Sequence, residues 1–163
     1  MEERFFPGLR NRILQALARH APGATSWRVW LNRWRGVHIG QNVWIGYDAI
    51  IETSRPDLVT IRDGAAVQIR ATIIAHFREQ EGVVIEENAT VGAGAIVLPN
   101  VTIGRGSIVT AGSVVTKSVP PKTMVQGNPA RPIATIETPL TMDVSLKEFG
   151  KGLRPIRDNR RET

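Results

Sequence analysis

A six-residue repeat runs through most of this sequence and limits what the chain can fold into. Aliphatic residues return at strict six-residue spacing at Ile85, Val91, Val97, Ile103, Val109 and Val115. The same phase holds upstream at Ile61, Val67 and Ile73, and an earlier run at Ile39, Ile45 and Ile51 is shifted by a four-residue insertion around residues 54–57. An α-helix with this period would spread its apolar residues around its whole surface, so the repeat argues against a helical body.

Each repeat instead has the composition of a short β-strand followed by a bend. Gly, Asn or Ser stands three residues after each aliphatic position of 85–115, and a small or β-branched residue stands four residues after it. Gly and Asn accept the left-handed backbone conformation that a tight bend needs. Three repeats would close a triangular coil, and successive coils would stack about 4.8 Å apart, the spacing of paired strands. A β-sandwich would alternate with period two, so we predict an all-β chain whose residues 37–133 form a parallel β-helix.

The repeat and the residues that close it resemble a known family. The strongest stretch runs from Ile85 to Gly104, and the repeat ends in Val-Thr-Lys-Ser-Val-Pro-Pro at 115–121, followed by Gly-Asn-Pro-Ala-Arg-Pro-Ile at 127–133. This pattern resembles the hexapeptide-repeat acyltransferase superfamily, and its ending is similar to the galactoside, maltose and surface-polysaccharide O-acetyltransferase branch. The resemblance implies a left-handed β-helix, a homotrimer, acetyl-coenzyme A as co-substrate and a role in polysaccharide biosynthesis.

His76 is the candidate catalytic residue. It ends the sequence Ile-Ile-Ala-His at 73–76, where later hexads place Gly or Asn, and the repeat breaks directly after it, since Glu79 occupies a position that should be aliphatic. From spacing alone, a solvent-facing turn histidine is the alternative. The resemblance implies a catalytic role, because the family's catalytic histidine lies at the equivalent break. Glu79 and Glu81 are candidates to orient its ring.

The transfer chemistry follows from the residue types that the chain contains. A histidine can remove the proton of an attacking hydroxyl near neutral pH, and backbone N–H groups can stabilise a tetrahedral oxyanion. The chain has no cysteine and no Gly-x-Ser-x-Gly motif, which argues against an acyl-enzyme. We therefore predict direct transfer of an acetyl group, with His76 as general base.

The contacts with the co-substrate come from the resemblance. It implies that Ala93 and Ala111 line the pantetheine arm, with the Ala93 N–H near the thioester oxygen. It further implies that Thr116, Lys117 and Arg131 lie at the nucleotide phosphates. Cations at such positions bind phosphate through charge-assisted hydrogen bonds. A purely structural role for the two cations is the alternative.

The acceptor side is less well defined by the sequence. Gly46 stands where the family's galactoside enzymes place an asparagine that contacts the sugar. Tyr47 and Asp48 beside it, together with Glu79, are the candidates for binding a small-molecule or glycan acceptor. The predicted function is transfer of acetyl to a hydroxyl of a sugar or polysaccharide. The alternatives are N-acetylation of an amino sugar and a non-catalytic β-helix that serves in assembly.

The positive charge of the chain belongs to its two ends. The 163 residues carry a formal charge of +6. Residues 1–36 contain seven arginines and two glutamates, whereas residues 37–146 carry a net charge of −2 and residues 147–163 a net charge of +3. Because the β-helix is slightly acidic and no nucleic-acid motif accompanies the charge, nucleic acid is not an expected partner. A metal is not expected either, since His20 and His38 lie far along the chain from His76.

Residues 1–36 form a basic, tryptophan-rich leader that we expect to be helical. Its residues 9–20 and 27–34 have helical periodicity, and one helical face contains Trp27, Trp30, Leu31 and Trp34. Two interpretations stay open: the helices cap the open end of the β-helix with its unpaired strand edge, or they contact an anionic membrane. With no secretory signal and no apolar run of membrane-spanning length, we expect a cytoplasmic protein, either free or at the inner face of the membrane.

Residues 134–163 are assigned as a basic C-terminal tail. Few aliphatic residues follow Leu153, so residues 147–163 are typical of a mobile tail or a subunit-contact arm. The resemblance also implies that the active site lies between subunits, with His76 and the coenzyme contacts coming from different chains.

Overall fold

A helical hairpin precedes a β-helix in the computed structural model, which describes residues 5–77, 81–141 and 143–156. Helix α1 spans Phe5–His20 and α2 spans Trp27–Arg35. The strands of the β-helix follow as β1 (His38–Ile39), β2 (Trp44–Ile45), β3 (Ile50–Ile51), β4 (Val59–Ile61), β5 (Ala66–Val67), β6 (Thr72–Ile73), β7 (Val83–Ile85), β8 (Thr90–Val91), β9 (Ile96–Val97), β10 (Val101–Ile103), β11 (Ile108–Val109) and β12 (Val114–Val115). The insertion seen in the sequence forms a bend and a short 3-10 helix at Pro56–Leu58, between β3 and β4.

The strands pair in parallel and form three faces. Face 1 contains β1, β4, β7 and β10; face 2 contains β2, β5, β8 and β11; and face 3 contains β3, β6, β9 and β12. Neighbouring strands of a face are one coil apart along the chain, so the strands form a parallel β-helix. This solenoid matches the predicted left-handed β-helix. We call the corner after the face 2 strands corner 2/3, and the corner after the face 3 strands corner 3/1.

The aliphatic residue of each hexad points into the interior. On face 2 the register pairs Ile45 with Val67, Val67 with Val91, and Val91 with Val109. Each of these side chains is at most 1% exposed, so every coil adds an apolar layer to one continuous core. The bends follow the prediction as well, since Asn88 and other bend residues have left-handed backbone angles, with a φ of 55° at that position.

A β-hairpin and a short helix close the last coil. β13 (Thr123–Gly127) pairs in parallel with β11, β14 (Ala130–Ile136) pairs antiparallel with β13, and β15 (Leu153–Pro155) pairs antiparallel with β14. Helix α3 (Leu146–Lys151) buries Phe149 against Ile108 and Ile136. The expectation of a mobile tail is therefore wrong for residues 147–156, because they pair and pack. Residues 157–163 lie outside those that the structure describes.

The leader helices cap the first coil, which confirms the capping interpretation. The backbone N–H of Ile45 donates to the Ala24 carbonyl at 2.9 Å. In the other direction, Arg28 donates to the Ile45 carbonyl at 2.8 Å, and Arg33 donates to the Ile39 carbonyl at 3.1 Å. Backbone groups that the first coil cannot pair within the β-helix thus find partners in the leader.

The tryptophan face of α2 points away from the β-helix. Trp27, Trp30 and Trp34 are 58%, 51% and 54% exposed. Leu31, which the sequence places on the same face, is buried against Leu14 of α1 and its neighbours. The side of α2 that faces the first coil is instead a mixed one, with Val29, Asn32 and Arg35 buried.

Candidate active site

His76 forms a close pair with a buried carboxylate at corner 3/1. Its Nδ1 lies 2.7 Å from Oε1 of Glu52. Glu52 directly follows β3 in the first coil and His76 follows β6 in the second, so the stacking of adjacent coils brings the two residues together. The side chain of Glu52 is 1% exposed and that of His76 is 45% exposed. The imidazole is therefore held by a buried group while the ring itself stays accessible.

Both carboxylate oxygens of Glu52 accept hydrogen bonds. Oε1 also accepts from the N–H groups of Ser54 at 2.7 Å and Arg55 at 3.1 Å. Oε2 accepts from the N–H groups of Ala75 at 2.7 Å and His76 at 3.0 Å. Burial alone would raise the pKa of Glu52, but the hydrogen bond with His76 and the backbone donors together lower this pKa to about 2.

The ionised carboxylate decides which ring nitrogen is the base. A carboxylate can only accept hydrogen bonds, so Nδ1 of His76 carries the hydrogen that points at Glu52. In the neutral ring the lone pair is then on Nε2, which lies on the far side of the imidazole from Glu52. This is the arrangement in which a histidine takes a proton at one nitrogen and is held and stabilised at the other.

A buried arginine supports Glu52 from the leader side. Arg35 is 5% exposed. Its guanidinium donates to the side-chain oxygens of Asn11 at 2.7 Å, Asn32 at 2.9 Å and Gln15 at 3.2 Å, and to the backbone carbonyl of Glu52. Burial lowers the pKa of Arg35 to about 10, a shift that the nearby Glu52 charge opposes, so the guanidinium stays charged at neutral pH. The network joins both leader helices to the residue that orients the imidazole.

The candidate coenzyme contacts lie on two different corners. Ala93 and Ala111 follow β8 and β11 at corner 2/3, in adjacent coils, where the Gly112 N–H donates to the Ala93 carbonyl at 2.9 Å. Thr116 and Lys117 follow β12 at corner 3/1, the corner of the histidine pair but two coils further along, and both are exposed. Face 3 separates the corners by roughly 15–20 Å, for a step of about six residues at about 3.3 Å each.

Arg131 lies apart from the corner that carries Lys117. It is on β14, opposite Gln126 of β13, and is exposed. Its Nη1 donates to the neighbouring Ala130 carbonyl at 3.2 Å. Since β14 extends face 2 beyond the last coil, Arg131 and Lys117 do not share a corner.

Tyr47 and Asp48 follow β2 at corner 2/3 and contact α1. Oδ1 of Asp48 accepts from Nε of Arg19 at 2.8 Å and from its Nη2 at 2.5 Å, and Oδ2 lies 3.9 Å from Nε of Arg70. The ring of Tyr47 meets that of His20 edge to face, with centroids 5.6 Å apart. Asp48 thus anchors α1 to the first coil, and contact of either residue with an acceptor stays a prediction.

Sequence reasoning named acidic partners for His76 but missed Glu52. Glu79 lies outside the described residues, and the N–H of Glu81 donates to Oδ1 of Asn100 at 3.1 Å. The sequence did contain one indication of Glu52. This acidic residue occupies a hexad position that is taken by Ile74 and Leu98 in the next two coils. In the structure Glu52 also has a φ of 27°. Residues other than glycine rarely adopt this backbone conformation, and those that do are often found at functional sites. Within the described ranges no three His, Asp or Glu side chains cluster in a way that could hold a metal.

Parts of this chain are similar in sequence to known transferases. Residues 82–117 match the family described as "Bacterial transferase hexapeptide (six repeats)". A stretch of 55 residues, 34% of this chain, is 69% identical to the 2,3,4,5-tetrahydropyridine-2,6-dicarboxylate N-acetyltransferase of Thermotoga maritima and covers 23% of that protein. The chain spans about a quarter of the length of the curated relatives it matches.

Solved structures share the fold over more of the chain. A maltose O-acetyltransferase from Clostridium difficile 630 is 25% identical, with a TM-score of 0.54 over 83% of this chain and 87% of that one. A variant of an N-acyltransferase from Bacillus cereus, in complex with dTDP and coenzyme A, is 24% identical, with a TM-score of 0.54 over 61% of this chain and 63% of that one. The second likeness shows the fold alone.

Proposed function

We propose that this chain, whose repeat and fold are those of the hexapeptide-repeat acyltransferase superfamily, is an acetyl-coenzyme A-dependent O-acetyltransferase acting on a sugar or polysaccharide hydroxyl. The observation that carries the proposal is the pair of His76 and the buried, ionised Glu52. Burying a carboxylate is costly unless its partners compensate. A buried carboxylate that holds one nitrogen of an accessible imidazole is typical of a general base.

In the proposed reaction the acceptor hydroxyl oxygen attacks the carbonyl carbon of the thioester. Nε2 of His76 takes the hydroxyl proton as the new carbon–oxygen bond forms. The tetrahedral intermediate then collapses, the carbon–sulfur bond breaks, and the departing thiolate takes the proton back from the imidazolium. Glu52 stays ionised throughout and stabilises the imidazolium through the Nδ1 hydrogen. The absence of cysteine from the chain agrees with direct transfer rather than an acyl-enzyme.

The donor is proposed to lie along the corners of the β-helix. Ala93 and Ala111 offer backbone groups and little bulk to a pantetheine arm, and the Ala93 N–H is the candidate for stabilising the oxyanion. Thr116, Lys117 and Arg131 are the candidates for the phosphates. A protein with the same fold, the N-acyltransferase from Bacillus cereus, is in complex with coenzyme A, which supports an acyl-coenzyme A donor.

We further propose that the site is completed between chains of a homotrimer. Ala93 and Ala111 lie on corner 2/3, whereas His76 lies on corner 3/1 of the same chain, on the other side of face 3. A threefold arrangement in which corner 3/1 of one chain faces corner 2/3 of the next would unite the two sets. A fully active monomer in sedimentation at assay concentrations would contradict this arrangement.

N-acetylation of an amino sugar is the second candidate function. The stretch that is 69% identical to an N-acetyltransferase over 55 residues favours transfer to nitrogen, and the substrate named for that protein is a dicarboxylate rather than a sugar. The likeness to a maltose O-acetyltransferase over 83% of the chain favours a sugar hydroxyl. A panel that pairs each sugar with its amino analogue would separate the two, because the acetylated product differs by an ester or an amide.

The test is thiol release from acetyl-coenzyme A by wild type and His76→Ala, with that acceptor panel. We expect kcat of His76→Ala to fall by on the order of 10² to 10⁴, the usual contribution of a general base. The KM for acetyl-coenzyme A should change little, because the ring acts on the acceptor proton. His38→Ala, which removes an exposed histidine of β1, is the matched control and should keep wild-type activity.

Two outcomes would contradict the proposal in different ways. Equal turnover by wild type and His76→Ala would remove His76 as the base. Absence of turnover by wild type with every acceptor, in protein that binds no acetyl-coenzyme A, would favour the non-catalytic assembly module.

A further inference from the structure

We propose that the outer surface of the leader helices binds a membrane surface that contains anionic lipids. This outer surface consists of six large apolar side chains on α1 and α2: Leu9, Ile13, Leu17, Trp27, Trp30 and Trp34. Between 49% and 58% of each is exposed. The proposal concerns docking of the protein and does not depend on the reaction that it catalyses.

On α1 the exposed apolar residues lie on one side and the capping residues on the other. Leu9, Ile13 and Leu17 recur every four residues and share a helical face. Asn11 and Leu14, which point toward the opposite side, are buried, and Asn11 donates to the Thr53 carbonyl at 2.5 Å. Because α1 is already held through its inner side, its apolar stripe is not needed to attach the helix to the β-helix.

On α2 the tryptophans form a continuous aromatic stripe. Trp27 and Trp30 meet edge to face with ring centroids 5.8 Å apart, and Trp30 and Trp34 are tilted with centroids 5.2 Å apart. Exposing three indoles in nine residues is unfavourable in water, since each could bury a large apolar area. A tryptophan ring is apolar except for its N–H group. Tryptophan is therefore enriched at sites that are apolar on one side and hydrated on the other, such as the headgroup level of a membrane.

The charges around the outer surface select an anionic partner. The two helices contain six arginines and no acidic residue. Arg10, Arg12 and Arg33 are exposed, and Arg33 also donates to the Ile39 carbonyl. Arg35 is buried, and Arg19 pairs with Asp48. Arg10 and Arg12 flank the apolar stripe of α1 on its two sides by helical periodicity. Basic and aromatic side chains on one amphipathic element suit the interface of an anionic bilayer.

The surface implies that the helices lie in the plane of the interface. Within the described residues no helix is long and apolar enough to cross a bilayer. Residues 37–146 are net negative, so the β-helix does not add to the attraction of the leader for anionic lipid; the other net-positive segment is residues 147–163. Docking through this surface would leave the inner side of α1 and α2 free to keep its contacts with the first coil.

The experiment is co-sedimentation of the full chain with vesicles of phosphatidylcholine alone or with 30% phosphatidylglycerol. We expect binding to the anionic vesicles, at least tenfold weaker for the variant that combines Trp27→Ala, Trp30→Ala and Trp34→Ala. Arg10→Gln with Arg12→Gln should weaken it by roughly fivefold per arginine, at about 1 kcal/mol for each charge near the surface. Raising the salt concentration should weaken the binding of wild type for the same reason.

A matched control uses exposed apolar residues outside the leader. Leu146→Ala with Ile156→Ala removes side chains that are 77% and 44% exposed, and should leave vesicle binding unchanged. Circular dichroism and melting temperature establish that each variant is folded. Binding that is equal for wild type and the tryptophan variant, or no binding to anionic vesicles, overturns the proposal. A fall in oligomeric mass of the tryptophan variant without vesicle binding would assign the surface to a second copy of the chain and overturn it as well.

Discussion

The two ends of the β-helix are closed by different kinds of interaction. At the N-terminal end, side chains of a helical hairpin donate to carbonyls of the first coil, most deeply at Arg35 and Glu52, and two backbone hydrogen bonds to the Ala24 and Arg19 carbonyls accompany them. At the C-terminal end, backbone groups pair with the last coil instead. Strand β13 continues face 2 by pairing with β11, and β14 and β15 then extend the sheet further. An apolar cluster around Phe149 covers this second end.

The difference follows from what each element can offer to an unpaired strand edge. A strand brings its own N–H and C=O groups and continues the ladder. A helix has used most of its backbone groups internally, so it pairs the edge mainly with side chains and with the few carbonyls at or beyond its end. Arginine suits this task because its planar guanidinium has five donors in a fixed geometry.

Within the residues that the structure describes, the N-terminal end contacts the candidate catalytic pair and the C-terminal end does not. Arg35 contacts the backbone of Glu52, and Glu52 holds His76, whereas the cluster around Phe149 packs against the last coil. A buried polar network depends on each of its members, while apolar packing tolerates change more gradually. We therefore expect substitutions at the N-terminal end to lower both stability and activity, and substitutions at the C-terminal end to lower stability alone.

The largest expected effect is that of Arg35→Ala. Its removal leaves several buried oxygens without a donor and takes one positive charge away from Glu52, so we expect the free energy of unfolding to fall by about 3–5 kcal/mol. In the remaining folded protein kcat should fall by roughly 10- to 100-fold, because small misplacements of a catalytic group are costly. Urea denaturation and steady-state kinetics measure the two effects.

Arg35→Lys is the control for this prediction. It keeps the positive charge but cannot form the same set of hydrogen bonds, so stability and kcat should be intermediate. Loss of stability in Arg35→Ala with an unchanged kcat would break the coupling between the cap and the catalytic pair.

The second effect concerns the opposite end. Phe149→Ala removes a side chain that is 8% exposed, and we expect it to lower the free energy of unfolding by about 3 kcal/mol. Under conditions where the variant is folded, kcat should equal that of wild type. A drop in kcat as large as that of Arg35→Ala would show that the two ends do not differ in the proposed way.

The third and smallest effect is a pH dependence of stability that arises from Glu52 at the N-terminal end. The pKa of Glu52 is about 2 in the folded chain against an ordinary value of 4.5. Because folding lowers this pKa, the carboxylate contributes stability that is complete above pH 4.5 and is lost as the pH falls towards 2. Between pH 7 and pH 3 this group should account for a loss of about 2 kcal/mol.

Glu52→Gln isolates that contribution. The amide does not titrate, so the stability of the variant should fall less between pH 7 and pH 3 than that of wild type, by about 2 kcal/mol. Urea denaturation at the two pH values measures this difference. Equal losses in wild type and variant would mean that Glu52 does not have a lowered pKa in the folded chain.

Much of the β-helix could be predicted because the residues that determine each strand and bend are close together in the sequence. The spacing of Ile85 and its successors predicted coils, and the residues at bends such as Asn88 predicted where each strand ends. His76 could be singled out because it stands at a break in a regular array. Whether it is the base remains a prediction that the kinetic experiments decide.

The tail and the leader show where composition alone misleads. Residues 147–156 are polar and basic, yet they fold back because β14 offers a strand edge and Phe149 finds an apolar cluster. Helical periodicity predicted the leader helices but not their orientation. The side of α2 that contains both polar and apolar residues is buried because carbonyls of the first coil accept hydrogen bonds from Arg28 and Arg35.

The sequence by itself determined the coil architecture, since strand, bend and inward residue all lie within each six-residue unit. Only the tertiary structure decided which acid accompanies His76. Glu52 stands 24 positions earlier, across an insertion, and reaches the ring because adjacent coils stack at strand spacing. Such pairing depends on the register between coils. The sequence immediately around Glu52 or His76 does not reveal that register.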